Sequence, residues 1–218
     1  SLDIAQVNKG CFEKSYSKLT SGSLQAIADS FDIDAAFGEW KRVGCQTVFA
    51  FCANAQIADM MNAAKLIGMS PTIVAWHKYN SVPFSFGTWR QDAEWCVHAK
   101  FPGAPLNGTA HDKRKIKAIP LCRECPEHPT TKPVQLIMDY AAICTHRGQT
   151  ILDPFMGSGT TGVAAVKLGR KFIGVEICEK YFNIAVRRIS EAQDQFALFE
   201  PVEPAVQQQL FSQPGGTP

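Results

Sequence analysis

The chain has 218 residues, of which 45% are hydrophobic, and its formal net charge is +2. That length suits one α/β domain with a tail, and a core of that size needs no disulfide bonds. The sequence contains no apolar run of about eighteen residues and therefore predicts no membrane-spanning helix, while the weak net charge neither requires nor excludes a nucleic-acid partner.

Helix-like and strand-like segments alternate along the chain after a polar stretch, residues 1–30, that reads as a surface loop. In chain order we predict helix 31–42, strand 47–53, helix 55–67 capped by Asn54 and closed by Gly68, strands 71–76 and 95–101, loop 102–130, helix 132–144 with Pro133 in its first turn, strand 150–152, helix 162–168, strand 171–176 and helix 180–192. This alternation predicts an α/β fold, a doubly wound, mostly parallel sheet with helices on both faces. Residues 1–195 are expected to form one domain, and residues 196–218, rich in Gln and Pro, a flexible tail.

The chain contains eight cysteines, several of them within apolar runs such as VFAFCA and AAICTH. Buried thiols of this kind are typical of a reducing compartment, so a cytoplasmic protein is expected. Cys122, Cys125 and His128 have metal-like spacing, but no matching Cys/His pair stands nearby to complete a tetrahedral site. Free thiols in a loop are the favoured interpretation, and no metal is expected.

The stretch TILDPFMGSGTTG, residues 150–162, runs from a strand through a glycine-rich turn into a helix. No lysine follows the glycines, which argues against a Walker-type triphosphate loop. The spacing Gly157-x-Gly159-x-x-Gly162, with Glu176 ending the next strand, does satisfy the dinucleotide fingerprint. By itself this glycine pattern leaves the ligand open.

Two carboxylates favour a different ligand. Asp153 stands at the end of the strand, where it would repel a pyrophosphate but suits a cationic amino group. Glu176 is able to accept hydrogen bonds from a ribose diol. A ligand with a ribose, an ammonium group and no phosphate fits better than NAD, and S-adenosylmethionine has those features. An NAD-dependent oxidoreductase stays as an alternative.

Two segments resemble the amino-methyltransferases of DNA, which methylate the exocyclic nitrogen of adenine or cytosine. LDPFMGSGTTGVAAVKLGRKFIGVE, residues 152–176, is similar to the cofactor-binding segment of that family, and HPTTKPVQLI, residues 128–137, to the segment just before it in the circularly permuted β-type. The resemblance covers roughly residues 45–190. It implies a Rossmann-like methyltransferase fold, S-adenosyl-L-methionine as methyl donor, double-stranded DNA as substrate, and a bacterial or phage restriction-modification setting.

The resemblance also implies roles for individual residues. The turn and the strand before it would line the methionine side of the cofactor, the start of helix 132–144 would meet its carboxylate, and the end of strand 171–176 would hold the ribose and the adenine. The residues expected to bind the cofactor are Thr131, Lys132, Asp153, Phe155, Gly157, Gly159, Thr160, Glu176 and Ile177. A tight turn without any ligand is the competing interpretation.

The catalytic segment of that family, Asp/Asn/Ser-Pro-Pro-aromatic, has no match in this chain, which contains no Pro-Pro pair. The nearest stretch, NSVPF at residues 80–84, reads as an ordinary loop. We therefore expect the catalytic segment just upstream of Ser1 in a longer parent chain, and leave the catalytic residues unassigned. The alternative is a cofactor-binding DNA-binding subunit that does not catalyse. Adenine N6 is preferred as the methyl acceptor, and cytosine N4 stays open.

Two further stretches are candidates for contacts with partners. The resemblance places the target-recognition region at about residues 102–127, where Lys113, Arg114, Lys115 and Lys117 form a basic cluster able to neutralise DNA phosphates. A solvated charged loop is the alternative. Residues Gln195–Phe199 resemble the short peptide that docks on bacterial sliding clamps, although they could equally pack back on the domain.

Overall fold

The computed structural model describes residues 3–5, 31–81, 87, 89–121, 125 and 131–199. Within these residues the chain forms seven strands and five α-helices, in the order β1 (Asp3–Ala5), α1 (Ile33–Arg42), β2 (Thr47–Cys52), α2 (Ile57–Leu66), β3 (Ser70–His77), β4 (Ala93–Lys100), β5 (Ile116–Ala118), α3 (Val134–Cys144), β6 (Thr150–Asp153), α4 (Thr160–Lys167), β7 (Lys171–Val175) and α5 (Glu179–Phe199). None of these helices combines the length and apolar character that crossing a membrane requires.

The strands of the described residues form two sheets. In the first, with the order β1-β7-β6, all pairs are parallel. In the second, with the order β2-β4-β3-β5, β3 and β5 are parallel and β4 runs antiparallel to both of its neighbours. The expected α/β class is confirmed, and β4 is the strand that departs from the parallel arrangement. Its direction fits its connection, because the described residues between β3 and β4 contain no helix that would return the chain to the starting edge.

Helices cover both faces of the second sheet, as the doubly wound prediction requires. On one face α1 and α2 contribute Phe37, Met60, Ala63 and Ala64, which pack on Val97 and Ala99 of β4. On the other face α3 contributes Leu136 and Tyr140, which pack on Val74, Trp76 and Cys96. Alternate residues of β4 thus point to opposite cores, which is the period-two pattern of a strand buried on both faces.

Helix α3 also belongs to the core of the first sheet. Val134 joins a buried cluster with Val163 of α4, Phe172 of β7 and Ile189 of α5. The same helix therefore packs on both sheets, and it positions the segment that precedes it against the carboxyl end of β6.

Several element boundaries differ from the prediction for local reasons. Asn54 was expected to cap the second helix, but it begins a short 3-10 turn, and the side chain of Gln56 accepts the hydrogen bond from the Ala53 amide instead. Helix α3 begins at Val134, so that Pro133 precedes it rather than lying in its first turn. Helix α4 begins at Thr160, two residues early, because Gly159 adopts the left-handed conformation that ends the turn.

Two short strands and the length of the last helix were not predicted. Strand β1 lies within the expected loop 1–30, whose residues 6–30 are outside the described part of the chain. Strand β5 lies within the expected loop 102–130 and pairs with the end of β3. Helix α5 continues to Phe199, into the stretch expected to be a tail, and residues 200–218 are outside the described part.

Candidate functional site

The glycine-rich stretch forms a tight turn between β6 and α4. The Met156 amide donates to the Val175 carbonyl of β7 at 3.0 Å, and the Gly159 amide donates to the Met156 carbonyl at 2.8 Å. Gly159 has φ +78°, and a Cβ added to it would lie 2.8 Å from the Cβ of Ala185. Glycine is required there by both the backbone conformation and the close approach of α5. The turn therefore lies directly against that helix.

Asp153 ends β6 immediately below the turn. Its carboxylate accepts a hydrogen bond from the Phe155 amide at 3.0 Å. Burial raises the pKa of Asp153, and hydrogen bonds from the Thr161 side chain and the Phe155 amide oppose that rise. A half-buried carboxylate of this kind is stabilised when a cation approaches it, because the cation offsets the loss of hydration.

Glu176 joins the end of β7 to the same turn. One carboxylate oxygen accepts from the Gly157 amide at 2.9 Å, and the other accepts from the Cys178 amide at 2.8 Å. Each carboxylate oxygen has further lone pairs for a diol. The structure thus brings Asp153, the glycines and Glu176 together at the carboxyl ends of β6 and β7, where ligands bind in open α/β sheets.

The segment before α3 reaches this turn through Thr131. The hydroxyl of Thr131 lies 3.3 Å from the hydroxyl of Ser158. The ammonium of Lys132 points elsewhere, forming an ion pair of 2.9 Å with Glu94 and lying 5.1 Å above the ring of Phe51. Glu94 is shared with Lys78, also at 2.9 Å. Both expected residues lie near the site, with Thr131 in contact with the turn and Lys132 held by a carboxylate.

Apolar side chains stay exposed beside the two carboxylates. Phe155 is 56% exposed and Ile177 is 38% exposed, although both flank a turn that is otherwise buried. Phe155 contacts Phe31, ring edge to face, with 5.3 Å between the centroids. Exposed apolar surface beside polar groups is typical of a site that a partly apolar ligand covers.

The sequence did not identify two groups that hold the turn. Ser158 is only 3% exposed, and Arg188 of α5 donates hydrogen bonds to it from a position on the inner face of that helix. A signal was available, because Arg188 follows Ala185 by three residues and so shares its buried face. Glu94, the partner of Lys132, carried no comparable sequence signal.

The basic cluster divides into two groups. Lys113, Arg114 and Lys115 are exposed on the surface after β4. Lys117 lies on β5, where its ammonium donates to the Asp112 carbonyl at 2.6 Å, is 4.0 Å from Asp139, and leaves only 11% of its side chain exposed. Three of the four cations thus face solvent, where a polyanion is able to reach them, and the fourth points into the fold.

The remaining sequence signals are only partly covered by the described residues. Among those residues no group of three or more His, Cys, Asp or Glu could hold a metal ion. Cys125 is buried, while Cys122 and His128 lie outside the described part. Asn80 exchanges two hydrogen bonds with the backbone of Leu121, and residues 82–84 of NSVPF lie outside the described part. In Gln195–Phe199, Phe196 packs against the core and Arg147, so clamp docking stays a prediction.

The chain is similar to known DNA methylases in sequence. The profile of the N6/N4 DNA methylase family matches residues 42–187. Type II methyltransferase M2.MboI from Moraxella bovis is 34% identical over 134 residues, which are 55% of this chain and 49% of that protein. DNA adenine methyltransferase YhdJ from Escherichia coli is 43% identical over 100 residues, 44% of this chain and 33% of that protein. The chain spans about half or less of the length of the curated relatives it matches.

Solved structures support the same fold. The M1.HpyAVI–SAM complex has a TM-score of 0.69 at 25% identity, covering 85% of this chain and 98% of that one. The cytosine-N4-specific PvuII DNA methyltransferase has a TM-score of 0.54 at 14% identity, covering 92% of this chain and 87% of that one. The second likeness, at so low an identity, concerns the fold alone.

Proposed function

The chain belongs to the N6/N4 DNA methylase family, and from that premise we propose that it binds S-adenosyl-L-methionine at the glycine-rich turn and serves methyl transfer to an exocyclic amino group of DNA. The observation that supports this proposal best is the pair of carboxylates on the two sides of the turn. Asp153 is half-buried with a raised pKa, and Glu176 is fixed by two backbone amides. A phosphate-binding turn would place cations or bare amides there instead.

The residues present fit this cofactor by their chemistry. Asp153 would hold the cationic amino group, and its burial makes the added charge pair favourable. Glu176 would accept from the ribose hydroxyls, and the exposed side chain of Ile177 would cover the adenine face. S-adenosyl-L-methionine supplies an electrophilic methyl group on a positively charged sulfur. The role of the chain is to bind and orient that group, because in-line displacement depends mainly on alignment.

The proposed substrate is double-stranded DNA, with adenine N6 as the preferred acceptor. This preference is supported by a relative that is named as a DNA adenine methyltransferase. Cytosine N4 stays the alternative, because the residues that would face the flipped base are not assigned. A base held inside a duplex has to leave the stack before its amino group is reached. We expect the reaction to take place in the cytoplasm.

Calorimetry with S-adenosylhomocysteine and transfer of tritiated methyl to unmethylated DNA would test the proposal. We expect the wild-type chain to bind S-adenosylhomocysteine and not NAD. Asp153→Ala should weaken that binding by about 2 kcal/mol, the cost of an unmade hydrogen bond to a charged group. Unchanged affinity would remove Asp153 from the site, and preference for NAD would contradict the proposed function. Nucleoside analysis of methylated DNA would distinguish N6-methyladenine from N4-methylcytosine.

A second candidate is a cofactor-binding DNA-binding subunit without catalysis. The observation in its favour is the absence of any Pro-Pro pair from the 218 residues. Binding of S-adenosylhomocysteine without methyl transfer would agree with this candidate. Transfer regained when an upstream Asp-Pro-Pro-Tyr-type segment is supplied would contradict it, and transfer by the present chain would direct attention to residues 80–84.

A further inference from the structure

Arg188 occupies an unusual position for a charged side chain. It lies on α5 between Ala185 and Ile189, which are 0% and 1% exposed, on the face that packs against the glycine-rich turn. A guanidinium on a buried helix face loses hydration, and it is stable there only when other groups accept its hydrogen bonds. Three acceptors of Arg188 belong to one short segment.

That segment is the end of the turn and the start of α4. The Nη1 atom of Arg188 donates to the Ser158 carbonyl at 2.7 Å, to the Ser158 hydroxyl at 3.1 Å and to the Thr160 hydroxyl at 3.3 Å. Ser158 is 3% exposed and Thr160 is 7% exposed, so water competes little for these contacts. Hydrogen bonds from a charged donor are about twice as strong as neutral ones.

The helix dipole does not explain this placement. The first amides of an α-helix such as α4 have no acceptor within the helix. A cation beside a helix N-terminus is therefore electrostatically unfavourable. The hydrogen bonds to Ser158 and Thr160 offset this unfavourable charge placement. The hydroxyl of Ser158 also lies 3.3 Å from that of Thr131, so the turn, α5 and the segment before α3 meet at this serine.

We propose that Arg188 is a positioning residue for the cofactor, acting through Ser158 on the conformation of the glycine-rich turn rather than touching the ligand. This inference rests on the proposed function. The turn would line the amino-acid part of the cofactor, whereas Glu176 and Ile177 would hold the nucleoside part. Glu176 is also held outside the turn by the Cys178 amide, so loss of Arg188 should weaken binding of the amino-acid part far more than binding of the nucleoside part.

Two ligands separate these parts. S-adenosylhomocysteine has both the amino-acid and the nucleoside parts, and 5′-methylthioadenosine lacks the amino-acid part. We expect Arg188→Met to weaken the binding of S-adenosylhomocysteine on the order of tenfold, the loss of a charge-assisted hydrogen bond, as measured by calorimetry. Binding of 5′-methylthioadenosine should change by less than about twofold. Arg188→Lys keeps the charge and one donor and should give an intermediate loss, and Arg187→Met, at the exposed neighbour, should behave as wild type.

Three results would overturn the assignment. Equal weakening of both ligands would indicate a general structural role, and no weakening of either would show that the turn is positioned without Arg188. If Arg188→Met does not fold, Arg188→Lys is judged by the same two ligands. Failure of the wild-type chain to bind either ligand contradicts the proposed function and this role together, whereas normal binding by wild type and both Arg188 variants contradicts this role alone.

Discussion

His98 is a titratable side chain that the fold keeps out of water. It is 7% exposed, stacks on Phe49 with 4.3 Å between the rings, and has Nε2 3.1 Å from the Thr47 hydroxyl. Burial, assisted by the charge of Lys100, lowers its pKa from 6.5 to about 4. In this window the unfolded chain binds a proton that the folded chain does not, so the free energy of unfolding falls as the pH drops from 6.5 to about 4.

The expected loss is about 3 kcal/mol, at 1.36 kcal/mol for each pKa unit. His98→Phe keeps the stacked ring and removes the titration, so its stability should depend less on pH across the same window. Urea denaturation of both proteins at several pH values would measure the difference. Parallel pH profiles for the two proteins would show that folding does not lower the pKa of His98.

At the same scale, residues of the site differ in how far the sequence could identify them. Asp153 and Glu176 were identifiable because each stands at the carboxyl end of a strand, and the carboxyl ends of neighbouring parallel strands meet at one edge. Arg188 and Ser158 are 30 positions apart. Helical spacing could place Arg188 on the buried face of α5, but its contact with Ser158 depends on how α5 packs against the turn, which no local pattern gives.

The turn and α4 form an element whose geometry depends on Gly159. A Cβ at this position would lie 2.8 Å and 2.9 Å from the Cβ and Cα of Ala185, and φ is +78°. Gly148 is a matched control, since its φ is +81° but nothing lies within 4 Å of the added Cβ. Gly148→Ala should cost about 1 kcal/mol of left-handed strain. Gly159→Ala should cost a further 1–3 kcal/mol, approximately, because α5 has to move.

Chemical denaturation of the two alanine variants would measure that difference directly. Equal losses of unfolding free energy would mean that α5 accommodates the extra methyl group at no cost in stability. The same packing explains why α4 begins at Thr160 rather than at Gly162 as predicted. The sequence alone predicts a turn at the glycines, whereas the first residue of α4 depends on the packing of α5 against that turn.

The arrangement of the whole molecule was predictable in class but not in detail. Long periodic segments such as β3, β4 and α3 could be predicted from the sequence, because each has an apolar pattern of its own. Strand β5 has only three residues and forms by pairing with the end of β3. No local sequence pattern predicts such a strand. The antiparallel direction of β4 was not predicted, because the rule of alternating strands and helices assumes a helix between neighbouring strands, and the described residues between 77 and 93 contain none.

The charge distribution of the molecule yields a prediction about DNA. The formal net charge is only +2, so any electrostatic attraction depends on local clusters. Replacing the exposed Lys113, Arg114 and Lys115 by Ala should weaken DNA binding and reduce the slope of log affinity against log salt by about 2–3, near 0.9 for each phosphate that is no longer neutralised. Lys117→Met is the matched control and should leave the slope unchanged, because its ammonium is engaged by Asp112 and Asp139. Fluorescence anisotropy over a salt series would give both slopes. An unchanged slope in the triple variant would place the DNA-binding surface elsewhere, and a reduced slope in Lys117→Met would show that this side chain turns outward when DNA binds.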